Sequence, residues 1–149
     1  MSWSDLRKGR FSQEQSEYFI TFNTKDRLAF FNDVDMARTF CLQIALNERQ
    51  YNSTWLTWVL MPDHFHGLLR LGAGAELSKT VGSLKGTSSF AINKIAKQSG
   101  GLWQSSFYDR ALRSDDDRIQ ISRYIVANPL RKRIVNRVGD YPYWNSIYL

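Results

Sequence analysis

Apolar residues recur along this chain with two different periods, and the changes of period mark its elements. Tyr18-Phe-Ile-Thr-Phe-Asn23 is dense in aromatic and β-branched residues and predicts a strand. Asn32 or Asp33 can then cap a helix from Val34 to about Glu48, with Met36, Phe40 and Ile44 on one face. Trp55–Met61 and His64–Leu71 predict two further strands, and the turn-forming Pro62-Asp63 between them implies an antiparallel hairpin. From Glu76 to Lys97, Leu77, Val81, Leu84, Ala91 and Ile95 return to helical spacing. Gly82, Gly86, Thr87, Ser88 and Ser89 weaken that helix but would admit another backbone closely, and Gly100-Gly101 should end it. Phe107–Leu112 predicts a fourth strand. Ser114 and Asp115–Asp117 carry the signal for a helix start, and the helix from Arg118 to about Ala127 should end or bend at Pro129.

The order is β-α-β-β-α-β followed by a third helix. It predicts an α+β fold of the ferredoxin-like type: an antiparallel sheet with helices on one face, plus the C-terminal helix. With 149 residues and no linker or repeat, residues 1–149 should form a single domain, with a polar leader at 1–16 and an aromatic, turn-rich tail at 139–149 that packs on the body.

Composition narrows the setting. A hydrophobic share of 43% argues for a packed core. The lone Cys41, among Phe40, Leu42 and Ile44, reads as a core thiol rather than a disulfide or zinc ligand. No secretory signal and no membrane-spanning apolar run are present, which points to a cytoplasmic protein without a membrane partner. The net charge of +6 is unevenly spread. Arg118–Arg137 holds six basic residues and no acid, and Leu77–Gln98 holds four lysines and no acid. Such segments attract phosphates, on nucleic acid or on an anionic membrane surface.

The two histidines stand as His64-Phe65-His66 at the start of a predicted strand. Alternation puts both imidazoles on one face, roughly 6–7 Å apart at Cα, while Phe65 and Leu69 face the core. The pair fits a metal site, and equally two polar residues on a solvated strand face. Tyr124 and Asn128 are four apart on a predicted helix and share a face. A Tyr beside Ile121 and Ile125 also fits a core edge, and an Asn before Pro a helix end.

Met61-Pro-Asp-His-Phe-His66, Leu102-Trp-Gln104 before Phe107-Tyr-Asp-Arg110, and Tyr124-Ile-Val-Ala-Asn-Pro129 together resemble the REP-associated tyrosine transposases. These belong to the single-tyrosine HUH transposases, named for the His-hydrophobic-His pair. The resemblance spans about Tyr18 to Tyr143, with the motifs in the family's order. It implies that His64 and His66 hold a divalent metal, that Asn128 is a third ligand, and that Tyr124 is the nucleophile. Asp63 stands where relatives commonly have Asn, and could sit behind the ligands. Imidazole softness would admit zinc, but the resemblance and a phosphate's need for open coordination positions favour Mg²⁺ or Mn²⁺.

The implied reaction is cleavage of single-stranded DNA bearing a hairpin, such as a folded palindromic repeat, through a covalent 5′-phosphotyrosine that can be passed to another strand. Lys85, Arg110, Arg123, Arg131 and Lys132 are the candidate DNA contacts, and Trp103, Phe107 and Tyr108 could stack on unpaired bases, though they fit core aromatics at least as well. A replication-initiation or relaxase-type HUH nickase, or a non-catalytic protein that only grips DNA hairpins, is the alternative. The chain could act as a monomer or as a homodimer.

Overall fold

A computed structural model describes residues 15–149, so all but the last two residues of the expected leader lie outside the described residues. The elements are strand β1 (Glu17–Asn23), helix α1 (Val34–Tyr51), strands β2 (Thr54–Met61) and β3 (His64–Arg70), helix α2 (Leu77–Ala96), strand β4 (Tyr108–Ala111), helix α3 (Arg118–Val126), a single turn α4 (Asn128–Arg131), and strand β5 (Trp144–Ser146). The sheet has five strands in the order β4-β1-β3-β2-β5, and every neighbouring pair is antiparallel. Its first four strands follow the expected β-α-β-β-α-β path.

The two faces are covered differently. Tyr18, Ile20, Phe22, Trp55, Leu60, Phe65 and Leu69 join Phe40 and Ile44 of α1 and Val81, Leu84 and Ile92 of α2 in one core. The opposite face carries a smaller core of Leu56, Val59, Met61 and Leu68 with Ile125 of α3 and Tyr141. The third helix therefore lies across the sheet from the first two. A bulge in β2 between Trp55 and Thr57 gives the strand one extra residue. Thr57 then meets both Ser122 of α3 and Ser146 of β5, at 2.7 Å between hydroxyl oxygens in each case. These bonds tie α3 to two strands without burying an unpaired polar group.

Several local expectations change. Gly82 and Gly86 do not admit a neighbouring backbone, since a Cβ at either would meet open space. Gly100-Gly101 is not the helix stop either: α2 ends at Ala96, and Lys97 takes the left-handed cap conformation (φ 54°). Trp103 is a core residue, 7% exposed and stacked on Phe31, so it presents no face to a base. The aromatic tail supplies a strand that sequence periodicity did not reveal. β5 covers the edge of β2, and Leu60 N–H donates to Tyr143 O while Ile147 N–H donates to Leu56 O. Cys41 is partly buried, and burial pushes its thiol up to about 11, which keeps it protonated.

Candidate functional site

His64 and His66 project from β3 toward α3, on the face opposite Phe65. Their ring centroids are 4.7 Å apart, with the rings nearly perpendicular. Each is anchored through Nδ1. His64 Nδ1 lies 2.7 Å from Asp63 Oδ1, and His66 Nδ1 lies 2.7 Å from Thr21 Oγ1, from the residue opposite it on β1. A carboxylate can only accept, so His64 carries its proton on Nδ1 when neutral. Neither Nε2 makes a hydrogen bond among the described residues; His64 Nε2 has a free lone pair, and His66 Nε2 has one when the ring proton sits on Nδ1 toward Thr21 Oγ1.

Both rings are neutral at pH 7. Burial lowers His64 below its ordinary value, and outweighs the upward pull of the bond to Asp63. His66 is pushed down to about 3 by burial, then by the nearby His64, Arg131 and Arg27. Burial alone would raise Asp63, but its hydrogen bonds with His64 and Arg27 prevail and hold the carboxyl below its usual range. Arg27 Nε donates to Asp63 Oδ2 at 3.0 Å. The turn that presents Asp63 is itself pinned, because the Thr24 amide and hydroxyl both donate to Asp63 O and the Phe31 amide donates to Pro62 O.

Asp117 caps α3 by accepting from the amides of Ile119 and Gln120. Arg118, in its first turn, pairs with Glu17 of β1 at 2.9 Å. Tyr124 emerges one turn before the helix breaks and is 56% exposed. The Arg131 guanidinium lies over its ring, 4.0 Å from the centroid, and donates to Tyr124 O at 2.7 Å. The break has a local cause. Pro129 has no N–H to give the carbonyl of Ile125, four residues back. The side-chain amide of Asn128 donates to that carbonyl instead, at 3.0 Å. Its nitrogen is thereby committed, and the carboxamide oxygen is left as the polar end of a residue only 5% exposed.

These side chains converge. Thr21, Asn23, Arg27, His64, His66, Tyr124, Asn128, Arg131 and Lys132 line one open cleft of about 490 Å³. Of the residues named from sequence, the cleft thus brings together Tyr124, both histidines, Asn128, Arg131 and Lys132. Arg110 lies in an adjoining cleft that shares Tyr124, with one long 3.4 Å contact to Asp116. Arg123 is exposed on α3 and lines neither. Lys85 is elsewhere: its Nζ donates to the carbonyls of Gln104 and Ser106, at 2.7 and 3.0 Å, along a separate groove beside α2. Sequence reasoning missed Arg27 and Thr21 at the site. Thr21 could have been found by placing β1 opposite β3 in register; Arg27 left no signal, because it enters from a turn with left-handed backbone (φ 55°).

The donor set fits a divalent cation. Among the described residues no three His, Cys, Asp or Glu side chains cluster as a metal site. Two imidazoles therefore need a third donor of another kind, and the Asn128 carboxamide oxygen is one in the same cleft. Three neutral donors leave an ion its full charge, and Arg27, Arg131 and Lys132 around them suit a bound phosphate.

A family profile described as "Transposase IS200 like" matches residues 12–128. A Haemophilus influenzae protein named as a REP-associated tyrosine transposase is 26% identical over 136 residues, covering 85% of this chain and 77% of the relative. A solved structure of a REP-associated tyrosine transposase bound to a REP hairpin superposes with a TM-score of 0.76 at 21% identity, over 91% of this chain and 79% of that one. That likeness speaks for the fold. A Deinococcus radiodurans protein described as a transposase is 26% identical, with a TM-score of 0.54, over 78% of this chain and 93% of its own. No helix among the described residues is long and apolar enough to cross a membrane.

Proposed function

This chain belongs to the IS200-like transposase family, and from that premise we propose that it is a single-domain, metal-dependent endonuclease and strand transferase acting on hairpin-bearing single-stranded DNA. The observation that carries the reading is the convergence of Tyr124, His64, His66 and Asn128 on one cleft with three cationic side chains. The hairpin substrate rests on the likeness to the REP-associated transposases.

His64 Nε2, His66 Nε2 and Asn128 Oδ1 are the atoms that would hold Mg²⁺ or Mn²⁺. When bound, the ion would supply charge that polarises the scissile phosphate. Asp63 and Thr21 hold the imidazoles in place through Nδ1, so the donors need little reordering. Arg27 and Lys132 offset the phosphate charge, and Arg131 fixes the Tyr124 ring from one side. Tyr124 Oη attacks phosphorus as the bond to the 3′ oxygen breaks, and the phenol proton ends on the released 3′ hydroxyl. The 5′-phosphotyrosine keeps the ester energy, so a different 3′ hydroxyl can reverse the step and join a new strand.

The test is an adduct assay. Purified protein with Mn²⁺ and a hairpin-bearing single strand should yield a detergent-resistant protein–DNA adduct. Tyr124→Phe should abolish the adduct while hairpin binding persists. An undiminished adduct in that variant would overturn the assignment of the nucleophile.

A further inference from the structure

Tyr124 has a second side. On the same face of the sheet as the histidines, Phe19 of β1, Tyr108 and Arg110 of β4, and Gln120, Ile121 and Tyr124 of α3 enclose a cleft of about 330 Å³. Phe19 separates it from the metal-ligand candidates, with its ring centroid 5.8 Å from that of His66. Tyr108 meets Phe19 edge-on at 6.4 Å and is otherwise 58% exposed. The Gln120 carboxamide, one turn before Tyr124 on the same helix face, makes no hydrogen bond among the described residues.

We propose that this cleft is a nucleobase subsite that holds one unpaired base immediately flanking the scissile phosphate and so helps to choose the cleavage position. The inference rests on the proposed cleavage function. The occupant follows from three features. Tyr124 is a wall of both clefts, so a strand whose phosphate meets its hydroxyl must place a neighbouring nucleotide beside its ring. The lining combines exposed aromatic faces, which accept any base by stacking, with a carboxamide able to pair with a base edge. Arg110 stands at the rim with only the long contact to Asp116, available to the adjacent phosphate. At about 330 Å³ the cleft is at the small end for ligand sites and takes one nucleoside-sized group rather than a helix.

The probe is a hairpin with a single-stranded flank carrying 5-iodouracil, walked one position at a time and irradiated with the Tyr124→Phe protein. We expect one position, next to the cleavage point of the wild-type protein, to cross-link to Tyr108 or Phe19. Tyr108→Leu should weaken binding of the flanked hairpin and slow adduct formation, each roughly 5- to 150-fold, the range of one stacked base. Tyr108→Trp should restore both, and an abasic nucleotide at that position should cost the Leu variant nothing more. Cross-links confined to other residues, with unchanged binding by Tyr108→Leu, would overturn the subsite. So would sedimentation of a DNA-free dimer that Tyr108→Leu dissociates, because a second copy would then be the occupant. If wild-type protein forms no adduct yet cross-links at Tyr108, the cleavage reading fails and with it the subsite's part in choosing a cleavage position, while base binding in this cleft stands. If it forms adducts that Tyr108→Leu leaves untouched, the subsite fails alone.

Discussion

On the face of the sheet beneath α1 and α2, Phe65 is wholly buried against Phe22, Phe40 and Trp55, with ring centroids 4.9–5.2 Å away. One residue to either side on the same strand, His64 and His66 look onto an open, polar cleft under α3. A single strand therefore serves core packing and an open polar cleft at alternate positions, and the dry face fixes the backbone that aims the other. The wet end of the other face is held by polar contacts such as Thr21 with His66 and Asp63 with His64, beside the smaller core under α3.

That division can be broken from either side. His66→Ala should abolish metal-dependent cleavage, a loss above about 100-fold since partners behind a ligand alone are worth roughly 10–100-fold. Its melting temperature should move by only a few degrees, and cleavage within tenfold of wild type would refute the ligand role. Phe65→Ala should cost about 3–5 kcal/mol in denaturant unfolding, because it empties the dry core. Cleavage should fall with it at temperatures where the protein remains folded, as the histidine pair loses its backing. Thr21→Val keeps the side chain's shape but removes the His66 anchor. It should weaken Mn²⁺ binding by roughly 10–100-fold in calorimetry with little change in stability; equal affinity would show that Thr21 positions nothing.

Acid stability offers a separate check. His66 titrates near 6.5 when unfolded, and its folded value is about 3. Between those values the unfolded chain takes up the proton and the folded one does not. Stability of the metal-free protein should therefore be whole above about pH 6.5 and decline as the pH falls toward 3. The slope should flatten in His66→Gln, and an identical slope in both proteins would remove His66 as its source.

The wet face was less legible than the dry one. Period-two and helical spacing found the first four strands and the three long helices because burial on a face imposes a rhythm, and Phe65, Phe40 and Leu84 keep it. The three-residue β5 is too short to show one, and it pairs through Tyr143, Trp144 and Ile147 rather than through an alternating pattern. Trp103 fitted a stacking platform and a core aromatic alike, because composition does not say which side of a loop is buried. His64, His66, Tyr124 and Asn128 were named through their motif order, and the four line one cleft. Arg27 entered from a left-handed turn, and Lys85 turned toward two carbonyls; neither placement has a local sequence signature.

The proline after Asn128 carries a consequence for the polarity of the cleft. An asparagine side chain can present either of two ends, an acceptor or a donor, and free rotation would let a cation meet the wrong one. By withholding an amide from Ile125 O, Pro129 gives the Asn128 nitrogen a fixed occupation and leaves the oxygen outward. Replacing Pro129 by Ala would return a competing backbone donor and let the carboxamide flip. A residue that need never touch DNA or metal thus selects the sign of the dipole that the cleft presents.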